Sequence, residues 1–156
     1  MAMRWIAGPT LPLLRIIGLD AKKVHLATAF YSASALRWLL HELKTENVVL
    51  AVRLDLANPI DWLQGRVNPE ALLQFITLLQ ARGSSVSLFT SPLAHAKLFV
   101  GDKGVVSGSA NLTMRGFGAG PEIVSVFGKD QVNPSRNIFR QYLRLLRVTR
   151  LDELRI

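Results

Sequence analysis

The feature that most constrains this chain is a series of polar and glycine residues at fixed intervals between positions 95 and 111. The intervals read H-x-K-x4-D-x5-G-S-x-N, and the residues are His95, Lys97, Asp102, Gly108, Ser109 and Asn111. At residue frequencies of a few per cent each, a chance match somewhere in a chain of 156 residues is on the order of one in a million. Most of the other residues in this window are apolar, including Leu98, Phe99, Val100, Val105 and Val106, so the pattern predicts a polar site carried by strands.

Within this window the sequence predicts a β-hairpin. Residues 93–101 are bounded by Ser91-Pro92 and by a glycine-containing turn at 101–104, so they are predicted to form one strand, with residues 105–109 as its antiparallel neighbour. Alternate side chains of a strand share a face, so we expect His95 and Lys97 to point to the same side. Ser109 and Asn111 share a parity and are expected near the same end. The hairpin therefore gathers an imidazole, an ammonium, a hydroxyl and an amide on one patch.

These four groups suit a phosphate diester. Lys97 supplies a positive charge, and Ser109 and Asn111 supply neutral hydrogen-bond donors. An imidazole exchanges protons near neutral pH, so His95 is a candidate nucleophile or proton donor. Each residue taken singly would be an ordinary strand or loop residue, and only their combination predicts a phosphodiester site.

The pattern resembles the HKD signature of the phospholipase D superfamily, whose members break or exchange phosphodiester bonds through a phosphohistidine. It is most similar to the small single-motif endonucleases, and in rough layout the resemblance covers most of the chain. It implies that Asp102 supports the turn away from substrate, and that Gly108 belongs to the structural part of the motif. It also implies that Glu122, at the start of the next strand, holds the imidazole of His95; a solvated strand-end glutamate is the alternative. Just beyond the motif, Arg115 is a candidate contact for a flanking phosphate.

The alternation of strands and helices predicts a single α/β domain over residues 1–156, with a mixed, mostly parallel sheet flanked by helices on both faces. The resemblance implies one half of a phospholipase D fold, completed by dimerisation. Residues 1–20 are predicted to be an amphipathic helix rather than a secretory segment, because Pro9, Pro12 and Arg15 interrupt the apolar run. The other predicted strands are 24–30, 47–54 and 85–90, and the predicted helices are 32–46, 68–81 and a last helix from about 135.

Only one copy of the motif is present, which bears on the mechanism. Displacement at phosphorus with a covalent intermediate needs a nucleophile on one side and a proton donor for the leaving oxygen on the other. One His95 cannot occupy both sides, and neither His25 nor His41 has a lysine two residues further on. We therefore expect a second chain, in a twofold homodimer, to supply the second motif. The resemblance implies the same arrangement.

Charge indicates a polyanionic partner. The net charge is +8 and the pI about 10.6, so nucleic acid is the expected partner, with DNA favoured over RNA. Arg136, Arg140, Arg144 and Arg147 recur at helical spacing, and the first three are candidate phosphate contacts; a solvated helix face is the alternative. The opposite, buried stripe of that helix is predicted to consist of Ile138, Tyr142, Leu145 and Leu146.

No cofactor is expected. The chain has no cysteine, which excludes disulfides and cysteine metal sites, and its histidines share no metal-ligand spacing. No apolar run approaches transmembrane length, so a cytoplasmic protein without stable membrane association is predicted.

The residues together predict a homodimeric, metal-independent phosphodiesterase of the nuclease type. One His95 attacks phosphorus and its partner protonates the leaving oxygen, while Lys97 and Asn111 hold the non-bridging oxygens. Ser109 is predicted to orient the site and Glu122 to orient His95. Two alternatives remain open: the same chemistry on lipid, as a phospholipase or phosphatidyl transferase, and a non-catalytic basic DNA-binding module that keeps the fold.

Overall fold

The computed structural model describes residues 3–7, 11–113 and 122–155. Within them, eight strands form one mixed sheet in the order β1-β7-β6-β5-β2-β3-β4-β8. The strands are β1 (Arg4–Ala7), β2 (Lys23–Thr28), β3 (Asn47–Arg53), β4 (Ser85–Ser91), β5 (Leu98–Val100), β6 (Val105–Gly108), β7 (Ile123–Phe127) and β8 (Arg147–Val148). The α-helices are α1 (Ala33–Glu42), α2 (Ile60–Leu63), α3 (Pro69–Ala81) and α4 (Val132–Leu143), and short 3-10 helices cover Leu11–Ile17, Lys129–Gln131 and Leu151–Leu154.

Local sequence signals fix the two longer helices of the first half. Ser32 caps α1, and its hydroxyl accepts a hydrogen bond from the amide of Ala35 at 3.3 Å. Asn68 caps α3 in the same way through the amide of Ala71, at 3.0 Å. Each cap satisfies an amide that has no partner inside the helix. After α3 the chain turns at Gly83, whose φ of +92° lies in the left-handed region that glycine tolerates.

The connections determine the strand directions. β2, β3 and β4 pair in parallel, because α1 joins the first two strands and α2 and α3 join the second two. The remaining pairings of the described sheet, β1 with β7, β7 with β6, β6 with β5, β5 with β2 and β4 with β8, are antiparallel. The predicted mixed α/β sheet is confirmed, but its description as mostly parallel is wrong. β5 and β6 are joined by a short turn, and the edge strands β1 and β8 run antiparallel to their neighbours. Antiparallel pairings therefore outnumber parallel ones in the described sheet.

Helices cover both faces of the sheet, as predicted. On one face, α1, α3 and the 3-10 helix at Leu11–Ile17 pack against the larger core, which includes Leu26, Leu50 and Leu88 of the parallel strands. On the other face, the fully buried Phe139 of α4 packs with Ala27 and Ala51. Neighbouring residues of a strand point to opposite faces, so each strand contributes to both layers.

The two ends of the chain differ from the sequence prediction. Residues 1–20 do not form one amphipathic helix: Arg4–Ala7 is an edge strand, and Leu11–Ile17 is a 3-10 helix with Leu11, Leu14 and Ile17 in the core. At the other end, α4 stops at Leu143. The predicted buried stripe is confirmed for Tyr142 and Leu146, which are partly buried against Phe139 and its neighbours, and is wrong for Ile138 and Leu145, which are exposed.

Most of the motif lies at one edge of the sheet, where the strand ends meet. The carboxyl ends of the parallel strands β2, β3 and β4 meet there, and because β5 runs antiparallel to β2, its first residue lies at the same edge. The end of β6 and the start of β7 follow beside it. Ligands of open α/β sheets commonly bind at this edge.

Candidate active site

Four of the predicted site residues line one open pocket at this edge. His95 and Lys97 lie in the irregular segment just before β5, Ser109 follows β6, and Glu122 precedes β7. The pocket has a volume of about 840 Å³, and Ala96, Leu98, Ser107 and Gly108 complete its lining. The predicted strand at 93–101 is wrong in its first half, because regular pairing begins only at Leu98.

His95 and Lys97 are in direct contact. The Nζ atom of Lys97 lies 3.0 Å from Nε2 of His95. When Lys97 is protonated it can only donate, and Nε2 of His95 is then the acceptor of this bond. Partial burial lowers the pKa of Lys97 below its ordinary value, and the charge of Glu122 offsets part of that decrease. The ring nitrogen of His95 and the amino group of Lys97 therefore lie side by side in the pocket.

Glu122 has a different partner from the predicted one. Its carboxylate accepts a short hydrogen bond from the hydroxyl of Ser109, and within the described residues no hydrogen bond joins it to His95. The Ser109 hydroxyl also accepts from the amide of Ile123 at 3.3 Å, and the Ser109 amide donates to the Ile123 carbonyl at 3.2 Å. Ser109 and Glu122 are thus held together across the ends of β6 and β7. The structure does not support the prediction that Glu122 holds the His95 imidazole within one chain.

Gly108 is needed where these two strands approach. A Cβ atom on Gly108 would lie 2.5 Å from the carbonyl oxygen of Ile123 and 2.7 Å from Cα of Val124. Both are backbone atoms, and they cannot move away as a flexible side chain would. A larger residue at Gly108 would therefore separate β6 from β7 and displace Ser109 from Glu122.

Asn111 lies beside the pocket and is anchored to the end of β2. Its Oδ1 atom accepts a hydrogen bond from the amide of Phe30 at 3.0 Å. Close by, the Thr28 hydroxyl accepts from the amide of Leu112 at 2.9 Å. With the amide oxygen engaged, the NH2 group is the end of Asn111 that can donate to a phosphate oxygen.

Asp102 lies at the far end of the hairpin from His95, in the turn after β5. It accepts hydrogen bonds from the amide of Lys22 at 3.2 Å and from Nη2 of Arg136 at 2.6 Å. The Arg136 guanidinium holds the pKa of Asp102 below its usual range. Asp102 therefore joins the hairpin turn to the start of β2 and to α4, and it touches no residue of the pocket.

The arginine stripe is broken in the structure. Arg136 is engaged by Asp102 and by the carbonyl of Lys23 at 3.3 Å, so its prediction as a phosphate contact is corrected to an internal ion pair. Arg140 is exposed on α4, Arg144 caps the helix end, and Arg147 belongs to β8. Arg140 and Arg144 remain candidate phosphate contacts. Arg115 lies outside the described residues.

Sequence reasoning missed Ser107, another polar side chain in the pocket lining. Its hydroxyl donates to the carbonyl of Lys97 at 3.0 Å and so fixes the backbone of that residue. The available signal was the hairpin register, which places Ser107 opposite Leu98, the residue after Lys97.

Two classes of site are not found in the described part of the chain. No group of three or more His, Cys, Asp or Glu side chains among the described residues could hold a metal ion. None of the helices described is both long enough and apolar enough to cross a membrane.

Solved structures with the same fold identify the architecture of this chain. Nuc from Salmonella typhimurium, described as a phospholipase D family member, is 16% identical to this chain with a TM-score of 0.63, and the match covers 96% of this chain and 99% of that one. The chain has the phospholipase D fold. No protein-family model and no curated protein sequence matches it.

Two longer structures share the phospholipase D fold with this chain. Phosphatidylserine synthase from Haemophilus influenzae is 16% identical with a TM-score of 0.60, covering 98% of this chain and 40% of that one. Yeast tyrosyl-DNA phosphodiesterase is 15% identical with a TM-score of 0.52, covering 80% of this chain and 32% of that one. The chain thus matches a part of each larger protein and nearly the whole of Nuc.

Proposed function

We propose that this protein is a metal-independent phosphodiesterase that cleaves nucleic acid through a phosphohistidine, in an active site shared by two copies of the chain. The observation that carries the proposal is the contact between His95 Nε2 and Lys97 Nζ at 3.0 Å, in an open pocket at the carboxyl edge of a phospholipase D fold. The contact supplies a nucleophile and a charge for the phosphate at one point.

The proposed reaction has two displacements. In the first, Nε2 of His95 bonds to phosphorus while the bond from phosphorus to the leaving oxygen breaks, and His95 of the partner subunit gives that oxygen a proton. In the second, water attacks the phosphohistidine, its proton passes to that partner imidazole, and the phosphorus–nitrogen bond breaks. Lys97 and the NH2 group of Asn111 stabilise the charge on the non-bridging oxygens. The charge of Glu122, held by Ser109, opposes the effect of burial on the pKa of Lys97 and so favours its ammonium form.

A second copy of the chain is part of the proposal because one chain offers one motif. Exposed apolar side chains beside the pocket support an interface there. Ile123, whose backbone holds Ser109, is 55% exposed, and Leu93, two residues before His95, is 84% exposed. Apolar groups in such a position are typical of a surface that a partner covers. A twofold axis there would bring two His95 side chains together.

Nucleic acid is the proposed substrate, with DNA favoured over RNA, in the cytoplasm. The net charge of +8 supports a polyanion, and the name of yeast tyrosyl-DNA phosphodiesterase gives a DNA substrate for one protein of this fold. Phosphatidylserine synthase also shares the fold, and because its name refers to a phospholipid, lipid is the alternative substrate. Against lipid, Leu11, Leu14 and Ile17 of the first segment are buried in the core and do not form an interfacial surface.

The decisive experiment is cleavage of plasmid DNA by the pure protein in excess EDTA. Cleavage should persist in EDTA. His95→Ala should abolish cleavage because it removes the proposed nucleophile. The matched control is His41→Ala, since His41 is exposed at the end of α1 away from the pocket, and this variant should keep full activity. Loss of cleavage in EDTA with rescue by a divalent ion would refute the mechanism.

A parallel assay with short-chain phosphatidylcholine addresses the two alternatives. Turnover of lipid without turnover of DNA would replace nucleic acid by lipid as the substrate. DNA binding without cleavage of either substrate, unchanged by His95→Ala, would favour the non-catalytic module.

A further inference from the structure

Two arginines and a phenylalanine form a basic cluster next to the candidate active site, and the motif includes none of them. Phe30 follows β2, Arg53 ends β3, and Arg66 lies between α2 and α3. The guanidinium carbons of Arg53 and Arg66 lie 5.6 Å and 5.7 Å from the centre of the Phe30 ring. Both distances are typical of cation–π contacts, so the ring holds two positive charges side by side. A hydrogen bond from the amide of Tyr31 to the carbonyl of Arg66 at 3.1 Å fixes this arrangement.

One carboxylate serves both arginines. The buried Asp61 accepts from Nε of Arg53 at 2.7 Å and from Nη1 of Arg66 at 3.4 Å. The cluster therefore carries a net charge of about +1, and each guanidinium keeps further N–H donors. The Arg66 side chain is 52% exposed, against 30% for Arg53. Arg53 binds Oδ2 of Asp61 by the shorter bond, and Arg66 binds Oδ1 by a longer one, so the more exposed Arg66 is the arginine better placed to bind a further anion.

Phe30 joins this cluster to the active site. Its backbone amide donates to Oδ1 of Asn111 at 3.0 Å, so the residue that holds the arginines also orients a proposed phosphate ligand. In the strand order β6-β5-β2-β3, the strand that ends at Arg53 is two positions away from β5. Lys97 lies just before the start of β5, at the same edge of the sheet. Two strand spacings are about 10 Å. A nucleic acid strand advances by ~3.4 Å along the helix axis for each nucleotide, so this distance spans at most about three nucleotides.

We propose that Arg53 and Arg66 form a second anion site, which binds a backbone phosphate of the nucleic acid flanking the phosphate under attack. The site deepens the proposed function, on which it rests, because it distinguishes a polymeric substrate from one with a single phosphate. Arg53 stays bound to Asp61 and supplies charge from the inner side. Arg66 supplies the exposed donors that reach the phosphate.

The test compares two substrates in the Arg66→Gln variant: a single-stranded oligonucleotide and bis(p-nitrophenyl) phosphate, which has one phosphodiester and no flanking phosphate. The kcat/KM for the oligonucleotide should fall about tenfold, as expected for one charge-assisted contact, while that for the small substrate changes less than about twofold. Arg66→Lys should recover part of the loss. Arg37→Gln is the matched control, since Arg37 is an exposed arginine on α1, and it should leave both substrates unaffected.

An equal fall on both substrates would show that Arg66 only supports the fold, and an unchanged oligonucleotide rate would exclude the site. If the unmodified protein cleaves neither substrate, the proposed function fails. The second anion site is then tested separately, by measuring oligonucleotide binding. In the His95→Ala background, Arg66→Gln should weaken oligonucleotide binding about tenfold in fluorescence anisotropy and lower the slope of log Kd against log salt by about one unit. Unchanged binding and slope would overturn the second site.

Discussion

Acidification from pH 7 to pH 5 should destabilise this protein through one buried residue, His25. Its side chain is 3% exposed, its Nδ1 atom has no hydrogen-bond partner, and its ring meets the Phe139 ring edge-on at 4.9 Å between centroids. Burial, with the nearby charges of Arg136, Lys23 and Arg140, lowers the pKa of His25 from 6.5 to about 4. The folded protein therefore keeps His25 neutral where the unfolded chain protonates it.

The direction and size of the effect follow from proton linkage. Because the pKa is lower in the folded state, the unfolded chain takes up the proton first as the pH falls, so stability is complete above about pH 6.5 and is lost towards pH 4. Between pH 7 and pH 5 the loss is about 2 kcal/mol, and below pH 4 it approaches about 3 kcal/mol. The ion-paired carboxylates Asp102 and Glu42 have lowered pKa values. Their stabilisation is lost mainly below the range in which His25 acts.

Urea denaturation at pH 7 and pH 5 measures this difference. The midpoint of the unmodified protein should fall by about 1 M urea between the two pH values. His25→Leu removes the titrating group, so its own midpoint should change by only a few tenths of a molar unit, whatever its absolute stability. His41→Gln, which removes an exposed histidine, should keep the full difference. The same midpoint change in His25→Leu as in the unmodified protein would refute the reasoning.

Two further predictions concern activity. Mixing unmodified protein with an excess of His95→Ala should suppress cleavage, because each shared site needs both imidazoles; full activity of a monomer, established by light scattering under assay conditions, would contradict this. Replacing Arg140 and Arg144 with glutamine should weaken DNA binding and reduce its salt slope by about one unit per lost contact, with turnover at saturation little changed. Lys97→Ala should instead lower turnover far more than DNA binding, because its charge meets the phosphate under attack. Normal DNA binding of the double arginine variant at every salt concentration would show that Arg140 and Arg144 only form a solvated helix face.

The middle of the fold was predictable because its signals are local. The caps of α1 and α3 at Ser32 and Asn68 and the apolar run of β3 indicated elements whose bounds differ from the structure by only a few residues at most ends. The edge strands were not predictable in this way. β1 is four residues long and pairs with β7 at the other end of the chain, so no neighbouring sequence signals it. The arginine spacing misled for a related reason: it continues at helical intervals past Leu143, where the helix has already ended.

Side-chain partners were the least predictable part of the site. His95, Lys97 and Ser109 of the motif lie in one pocket, as their spacing around a hairpin predicts. Glu122 of the same pocket was indicated only by the family resemblance. Glu122 accepts a hydrogen bond from Ser109 and none from His95 in the described structure, and this depends on distances across the ends of β6 and β7. Likewise, the bond from Phe30 to Asn111 joins residues 81 positions apart, and periodicity carries no information about such pairs.

The motif reads as one chemical unit in the sequence, but the structure divides it between two ends of a hairpin. His95, Lys97 and Ser109 lie at the open edge of the sheet, whereas Asp102 is bound to Arg136 at the other end. The fixed interval between Lys97 and Asp102 is therefore the length of β5 with its turn, and it does not measure a distance within the active site. Because Asp102 and Lys97 flank the short strand β5, an ion pair that holds the turn against α4 also helps to fix the register of β5 with β2, and with it the position of Lys97. Loss of Asp102 should thus disturb the active site through the strand, without any contact to the substrate.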